Sequence, residues 1–353
     1  MEHTISVTAQ AERKVTDTKS LPFGKVPTEH MFMAEYKNGE WHHPQVVPFH
    51  DLTISPLTLC LHYGQTVFEG MKAFSMEDGS INVFRMDKHY DRFIKSLHRM
   101  CMPPVPKKLF MNAIKELVSL DSDWVPKDAD GSLYIRPFMI ATEDRIGVKV
   151  SDEYLFMVVC SPAFQYYTQP LKVKIETTFV RSAAGGTGTA KCGGNYGGAF
   201  YPTSLAKEAG YDQVLWTDSI HNEFIEESGT MNAMFVIDNV LITPELSGTI
   251  LDGVTRDSLL AIARDKGITV DVRQLSYHEL VDGFEAGKRI EAFGAGTAAV
   301  VAPIATIAIG HKEYSCYTGP DAIMFKLQKA LLDIRKGIAP DAHGWNNIIH
   351  LNS

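Results

Sequence analysis

Lys191 has the surroundings most suggestive of covalent chemistry in this chain. It lies in the segment 183–198, where seven glycines and three alanines surround one amine. Glycine at this density is costly to order, so it is kept where the backbone approaches another group closely or takes a positive φ. Desolvation there would lower the pKa of a lysine from about 10.4 and make its amine a nucleophile toward carbonyl carbon. A flexible surface loop with a solvated lysine fits the same residues.

Other segments could hold an anion or pair with a cationic ring nitrogen. Glu227 stands three residues before Thr230 across a small turn, although a hairpin with solvated acids would look the same. Residues 251–256 open a predicted helix whose first N–H groups could bind an anion, and an ordinary helix start is equally consistent. Arginine is rarely buried unless paired. Arg85 and Arg136 interrupt apolar strand patterns, and Arg92 lies beside a helical apolar stripe, where a solvated basic face is the alternative.

Two glycine motifs resemble nucleotide-binding loops without matching them. Residues 294–299 follow the dinucleotide pattern with a final alanine, but the β-branched residues and proline that come next argue against a following helix. A tight turn that offers backbone N–H groups to an anion is favoured there. Residues 188–191 carry alanine where a phosphate loop has glycine before its lysine. A reactive lysine, an acid, an arginine and anion-binding turns together are what pyridoxal phosphate needs.

Composition narrows the class of protein. The 353 residues carry 42 acidic and 34 basic side chains, a formal charge of −8, which argues against nucleic acid as a partner. Five scattered cysteines without metal-ligand spacing indicate a reducing compartment and predict neither a disulfide framework nor a metal site. The first twenty residues lack a secretory signal, and the most apolar run, 298–309, is too short for a membrane span. A cytoplasmic protein with no membrane contact is therefore expected.

The elements that must position these residues form a mixed α+β pattern, because strands cluster without regular βαβ alternation. Apolar periodicity predicts strands at 31–36, 81–85, 132–140, 154–160, 173–180, 211–216, 234–237, 240–243, 248–250 and 290–293. It predicts helices from an Asp87 cap to 101, at 109–120, at 199–208 up to Gly210, at 255–266 and at 322–335. The expected organisation is a small domain at 1–163, a linker at 164–172 and a large domain at 173–353 that carries Lys191. The first twenty residues are expected to be a weakly docked tail.

Five segments, at 68–74, 133–137, 191–197, 227–232 and 293–298, together carry a family resemblance. From about residue 21 to 345 the sequence resembles the branched-chain amino-acid aminotransferases, pyridoxal-phosphate enzymes of fold type IV. The resemblance implies a two-domain α+β fold with the cofactor at the domain interface. It implies a reversible ping-pong transfer of an amino group between L-leucine, L-isoleucine or L-valine and 2-oxoglutarate.

The resemblance also implies individual roles. The cofactor residues would be Lys191 for the Schiff base and proton transfer, Glu227 for the pyridine nitrogen, Tyr196 for the ring oxygen, Arg92 for the phosphate, and Thr230, Val254, Thr255 and Thr297 on the phosphate side. The substrate residues would be Phe23, Tyr63, Phe68, Tyr134, Arg136, Tyr166, Met231 and Ala298, with Ile146 and Val148 reaching across a homodimer. Tyr134 and Arg136 would serve the γ-carboxylate of glutamate.

One departure from the family is visible. Some animal members carry a redox-active CxxC after the last motif, where this chain has Ala299 and Ala302. The resemblance and the missing targeting segment together favour the cytoplasm of a bacterium and amino-acid biosynthesis. The alternatives are a D-amino-acid aminotransferase, an aminodeoxychorismate lyase, or a non-catalytic pyridoxal-phosphate carrier. The sequence does not rank the three branched-chain substrates.

Overall fold

The computed structural model describes residues 4–8, 23–164 and 167–351. Its strands are β1 (Ser6–Val7), β2 (His30–Lys37), β3 (Glu40–Pro48), β4 (Thr66–Phe68), β5 (Met71–Ser75), β6 (Ile81–Phe84), β7 (Ser132–Ala141), β8 (Tyr154–Ala163), β9 (Leu171–Glu176), β10 (Gln213–Thr217), β11 (Ile225–Ser228), β12 (Met231–Ile237), β13 (Val240–Thr243), β14 (Val270–Val272), β15 (Ile290–Gly296), β16 (Val300–Ile309), β17 (Lys312–Ser315) and β18 (Asn346–Ile349). Its helices are α1 (Leu59–Tyr63), α2 (Met86–Arg99), α3 (Lys107–Leu120), α4 (Gly194–Glu208), α5 (Val254–Asp265), α6 (Tyr277–Glu285) and α7 (Ile323–Arg335). The expected α+β class is confirmed.

The chain divides into two compact units. Unit 1 comprises Met1–Tyr166, Ala190–Gly194 and Ile334–Ser353, and unit 2 comprises Tyr167–Thr189 and Asn195–Asp333. The boundary at 166/167 falls inside the expected linker. The structure differs from the expected division in two segments, because the short stretch that carries Lys191 and the last twenty residues belong to unit 1.

Unit 1 is built on one sheet with the strand order β1-β3-β2-β8-β7-β5-β6-β18, and β4 also pairs with β7. The hairpin from β2 to β3 turns at Asn38 and Gly39, whose φ values of 54° and 83° suit the predicted Asn-Gly turn. Helices α2 and α3 bury one apolar side each. Phe93, Phe110 and Phe156 meet there with ring centroids 5.5 to 6.0 Å apart, within the range of favourable ring contacts.

Unit 2 contains a closed ring of six strands, β11-β10-β9-β16-β15-β12, which is completed by pairing between β11 and β12. Closure removes exposed strand edges and gives a core of alternating inward residues. Two hairpins of this ring hold candidate residues. The turn at Gly229 and Thr230 joins β11 to β12, and the turn at 297–299 joins β15 to β16. The prediction that no helix follows residue 299 is confirmed.

Several predicted elements were wrong in detail. Helix α4 begins at Gly194 rather than 199, and residues 248–250 form a turn instead of a strand. Strand β9 ends at Glu176, four residues before its predicted end. Asp87 does not cap α2, because the cap position is Arg85 in a left-handed conformation, and Asp87 instead pairs with Lys107 at 2.7 Å. The first residues are not wholly a tail, since β1 pairs with β3.

Two further findings concern the chain as a whole. Within the described ranges, no helix is both long enough and apolar enough to cross a membrane. All five cysteines are free, and Cys192 is buried in the core of unit 1.

Candidate active site

Lys191 is fixed in unit 1 by hydrogen bonds on both sides of its backbone. Its N–H donates to Ser96 Oγ at 2.9 Å, and its carbonyl accepts from the N–H of Phe68 at 3.0 Å. The next residue, Cys192, forms an isolated β-bridge with Val67. The half-buried Lys191 side chain places Nζ 4.8 Å from the centroid of the Phe68 ring. The alternative of a solvated lysine in a flexible loop does not fit this arrangement.

The glycines around Lys191 serve different purposes. A Cβ on Gly193 would lie 2.5 Å from Thr66 Oγ1, and one on Gly188 would lie 2.5 Å from the carbonyl oxygen of Thr249. Gly188 requires glycine because a side chain there would meet backbone, whereas a side chain at Gly193 would have to displace the Thr66 hydroxyl. Gly194, Gly197 and Gly198 instead face open space in the first turns of α4.

Arg92 is buried on α2, so the solvated basic face considered for it is excluded. Its Nε and Nη2 donate to the two carboxylate oxygens of Glu69 at 2.7 and 2.9 Å. His89 Nδ1 lies 2.8 Å from the same carboxylate. Burial alone would raise the pKa of Glu69, but the Arg92 charge and the hydrogen bonds from Arg92 and His89 hold it well below its usual range. Burial, together with the charges of Arg92 and Lys191, lowers the pKa of His89, although its hydrogen bond with Glu69 acts in the opposite direction.

The candidate substrate residues of unit 1 form a connected aromatic and cationic group. Arg136 Nη2 donates to the Tyr134 hydroxyl at 3.0 Å, and its guanidinium carbon lies 4.6 Å from the Phe68 ring centroid. Phe23 packs edge-on against Tyr134 with centroids 5.0 Å apart. Arg136 Nε is buried and has no hydrogen-bond partner among the described residues. A buried guanidinium edge of this kind suits an anionic ligand group.

The loop between β7 and β8 carries the two residues expected to cross a dimer. Ile146 and Val148 are 61% and 79% exposed, which is unusual for β-branched aliphatic side chains. The Tyr63 hydroxyl donates to the carbonyl oxygen of Ile146 and so ties α1 to this loop. Tyr166 lies outside the described residues.

Unit 2 holds the candidate acid. Glu227 on β11 is buried, so the hairpin turn is present but its acids are not solvated. One of its oxygens accepts from the N–H of Leu251 at 2.8 Å, and the other lies 3.3 Å from Arg181 Nε. Arg181 Nη2 also donates to the Gly188 carbonyl at 3.1 Å. Hydrogen bonds and a nearby cation favour the ionised form of a carboxylate.

The phosphate-side candidates of unit 2 lie at turns and at a helix start. Val254 and Thr255 are buried in the first turn of α5, whose N-cap is Gly253 with no side-chain cap. A Cβ on Gly253 would lie 1.8 Å from Asn232 Oδ1, so any other residue there would displace the Asn232 side chain. Thr230 is exposed at its turn, and Thr297 is half-buried at the turn after β15.

The remaining candidates of unit 2 surround β12 and α4. Met231 is buried beside Gly294 and Gly296, where any Cβ would approach its side chain to 2.6 and 3.1 Å. Ala298 follows on the same turn as Thr297, and Tyr196 lies half-buried in the first turn of α4.

The candidates are therefore divided between the two units. Sequence reasoning missed Glu69, Ser96 and Arg181, which bind candidate residues directly, and His89, which binds Glu69. The spacing of His89, Arg92 and Ser96 on α2 was a readable signal, because positions three and four apart share one side of a helix.

Comparisons with known proteins identify the family. A family model described as amino-transferase class IV matches residues 66–307. A Bacillus subtilis (strain 168) protein named branched-chain-amino-acid transaminase 1 is 42% identical over 335 residues, covering 93% of this chain and 94% of that protein. A solved T.th. branched-chain amino acid aminotransferase in complex with N-(5'-phosphopyridoxyl)-L-glutamate is 28% identical with a TM-score of 0.74, covering 92% of this chain and 100% of that one. The T.th. enzyme complexed with 4-methylvaleric acid is 28% identical with a TM-score of 0.73, covering 92% of this chain and 99% of that one.

Proposed function

The chain belongs to the class IV aminotransferases, and from this premise we propose that it is a branched-chain amino-acid aminotransferase. Its reaction would be the reversible transfer of an amino group between L-leucine, L-isoleucine or L-valine and 2-oxoglutarate, in a ping-pong cycle. The observation that carries the proposal is the Lys191 amine over the ring of Phe68, on which the Arg136 guanidinium also packs. An amine and an anion-binding group at one aromatic ring suit a substrate that carries both a carbonyl and a carboxylate.

The residues present fit pyridoxal phosphate. The N-cap Gly253 has no side chain to cap α5, so the first N–H groups of this helix would be the ones to bind a phosphate, which a helix N-terminus favours. Arg92 supplies a guanidinium for the same kind of group. Glu227, bound to Leu251 and Arg181, supplies a carboxylate that can accept the N–H of a protonated ring. When bound, pyridoxal phosphate supplies a carbonyl that binds amines and a ring that delocalises the electron pair left at Cα.

Lys191 would perform two tasks in this mechanism. Its amine would hold the cofactor between turnovers, and after release it would accept the substrate's Cα proton and return it elsewhere. Both tasks require the amine to return to one place, which the hydrogen bonds of its backbone to Ser96 and Phe68 provide. Glu227 would keep the ring nitrogen protonated, and Tyr196 would contact the ring oxygen.

Substrate selection would depend on a group of aromatic side chains with one arginine beside them. Phe68, Tyr134 and Phe23 offer apolar surface to a branched aliphatic side chain. Arg136, with its unpartnered Nε, offers an edge to the γ-carboxylate of glutamate. The turn at Thr297 and Ala298 would take the α-carboxylate.

We further propose a homodimer in the cytoplasm. The exposed Ile146 and Val148 would be covered by a second copy of the chain, and the five free cysteines suit a reducing compartment. An Ile146→Asp variant should shift the sedimentation of the protein toward the monomer. Unchanged sedimentation would contradict a dimer through this loop.

The test of function begins with Lys191→Ala and its control Lys207→Ala, an exposed lysine on α4. The purified protein should absorb visible light through its bound cofactor and should transaminate 2-oxoglutarate with L-leucine. Lys191→Ala should abolish turnover, and Lys207→Ala should retain it. Full activity in Lys191→Ala would refute the role of this amine.

A substrate panel separates the alternatives. L-leucine should react, whereas D-alanine and aminodeoxychorismate should not. A protein that binds the cofactor but shows no half-reaction with L-leucine would instead be a carrier.

A further inference from the structure

We infer that Glu69 is a positioning residue for cofactor binding, which acts by fixing the guanidinium of Arg92 in the direction that binds phosphate. The inference rests on the proposed function, in which Arg92 is a phosphate ligand. Glu69, His89 and Arg92 are 0%, 2% and 6% exposed, so all three act inside unit 1.

Glu69 is fully buried, and its carboxylate is surrounded by donors of the protein. Its Oε1 accepts from Arg92 Nε, and its Oε2 accepts from Arg92 Nη2, His89 Nδ1 and the N–H of Gly70, at 2.7 to 3.1 Å. An ionised carboxylate offers about four acceptor sites, and here four protein donors crowd around them, three on Oε2 and one on Oε1. Any effect of Glu69 on the cofactor must therefore pass through the groups that it holds.

The bond pattern restricts how Arg92 can turn. Two parallel hydrogen bonds from one guanidinium to one carboxylate fix the plane of the guanidinium as well as its distance. His89 holds the carboxylate from a second direction. Because Glu69 is ionised, the proton of the His89 ring is assigned to Nδ1, from which it donates to Glu69. Rotation of Arg92 about its last bonds would break two hydrogen bonds at once.

The same network extends to Lys191. Ser96 Oγ accepts from the Lys191 N–H and donates to the Arg92 carbonyl at 3.0 Å. Glu69 directly follows Phe68, whose N–H binds the Lys191 carbonyl. The proposed amine and the proposed phosphate ligand are thus held in one hydrogen-bonded frame, in which Glu69 orients the side chain of Arg92 and Ser96 fixes its backbone.

Stability alone is a weak reason for such an arrangement. Removing two charges from water is costly, and replacing a buried ion pair with apolar residues is often neutral or stabilising. Preorganisation is the stronger reason, because a side chain that is already oriented loses less freedom when the ligand binds.

The experiment measures dissociation constants of pyridoxal phosphate and of pyridoxal, which lacks the phosphate. The full-length holoenzyme is stripped of cofactor by dialysis and titrated by absorbance. Glu69→Gln should weaken binding of pyridoxal phosphate about tenfold or more and leave binding of pyridoxal nearly unchanged. Glu69→Asp, which keeps the buried charge but withdraws the carboxylate, should show the same selective loss to a smaller degree.

Asp121→Asn is the matched control. Asp121 is another buried carboxylate of unit 1 that binds a histidine, since its two oxygens contact the N–H and Nδ1 of His30 at 3.1 and 2.6 Å. Its loss should lower the melting temperature without changing the ratio of the two dissociation constants.

Two more variants complete the test: Arg92→Lys, and the double variant that combines Arg92→Lys with Glu69→Gln. If Glu69 acts through Arg92, Glu69→Gln should add little to the loss caused by Arg92→Lys. Equal weakening of both ligands by the Glu69 variants, or fully additive losses in the double variant, would overturn the inference. If Arg92→Lys leaves binding of pyridoxal phosphate unchanged, the proposed phosphate role of Arg92 fails and the inference fails with it.

Discussion

Replacing Gly70 with alanine should lower activity toward L-glutamate more than activity toward L-leucine. A Cβ at this position would lie 2.0 Å from the Tyr134 hydroxyl oxygen and 2.8 Å from ring atom Cζ. Ordinary contacts between such atoms are about 3.5 Å, so the phenol must retreat by roughly 1.5 Å. Phe23 packs against this ring at 5.0 Å, and Arg136 donates to its hydroxyl at 3.0 Å. Moving the Tyr134 ring must therefore break either its packing with Phe23 or its hydrogen bond with Arg136.

Two free-energy terms set the size of the effect. Overpacking a buried side chain costs about 1 to 3 kcal/mol of folding free energy, which for a chain of this size is a fall of several degrees in melting temperature. Loss of the hydrogen bond from Arg136 adds about 1.5 to 3 kcal/mol where a charged partner is involved. If Arg136 binds the γ-carboxylate of glutamate, kcat/KM should fall about tenfold more for L-glutamate than for L-leucine.

The assay compares single half-reactions with L-glutamate and L-leucine and follows thermal unfolding in parallel. Gly198→Ala is the control, because a Cβ there meets no atom within 4 Å and alanine favours the α4 helix. In Gly70→Ala/Tyr134→Phe the closest clash is gone, so stability should partly recover while the discrimination against L-glutamate remains. An unchanged melting temperature together with an unchanged ratio of the two substrates would refute the reasoning.

Three further predictions concern stability. Burial and the charge of Arg335 lower the pKa of Lys72 to about 7. Between pH 7 and 10.5 Lys72 is therefore protonated in the unfolded chain but not in the folded one. The free energy of unfolding should rise with pH across that window. Lys72→Met should therefore raise the free energy of unfolding at pH 6 by up to about 4 kcal/mol, and by much less at pH 10. Urea unfolding measures both values. An equal gain at the two pH values would contradict the lowered pKa of Lys72. Ser276→Ala should cost about 1 kcal/mol, because the Ser276 hydroxyl caps α6, and a melting temperature equal to wild type would exclude the cap. Arg181→Met should cost about 2 to 4 kcal/mol, because it removes a cation from the buried Glu227, while Arg181→Lys should recover part of the loss in the same melt.

Local signals in the sequence predicted local structure well. The Asn38 and Gly39 turn follows from φ preferences of two residues, and α5 lies within one residue of its predicted ends because Gly267 takes a left-handed conformation just beyond it. The start of α4 was missed because glycine disfavours helix, whereas the structure extends the helix through three open glycines. Helix propensity alone therefore does not set where this helix begins.

The candidate site shows a similar limit. Motif resemblance assigned proposed roles to Lys191, Arg92 and Glu227, but the burial of Arg92 could not be read from its helix, where it lies beside the apolar stripe. Its buried partner is Glu69, which lies 23 residues earlier in the connection between β4 and β5 and reaches Arg92 only through the fold. Side-chain pairs between distant segments carry no periodic signal in one sequence.

The placement of β18 has a consequence for the order in which this protein can fold during synthesis. Asn347 donates to Asn82 on β6, and Asn82 donates to the Arg335 carbonyl, so the sheet of unit 1 takes its last strand from residues that follow all of unit 2. Domains usually fold as they emerge from the ribosome, the earlier part first. Here the β6 edge of unit 1 stays unpaired until unit 2 has been synthesised, because β18 follows unit 2 in the chain. We expect unit 2 to be the first to complete its own hydrogen bonding, and β6 to be the edge most in need of protection on the ribosome.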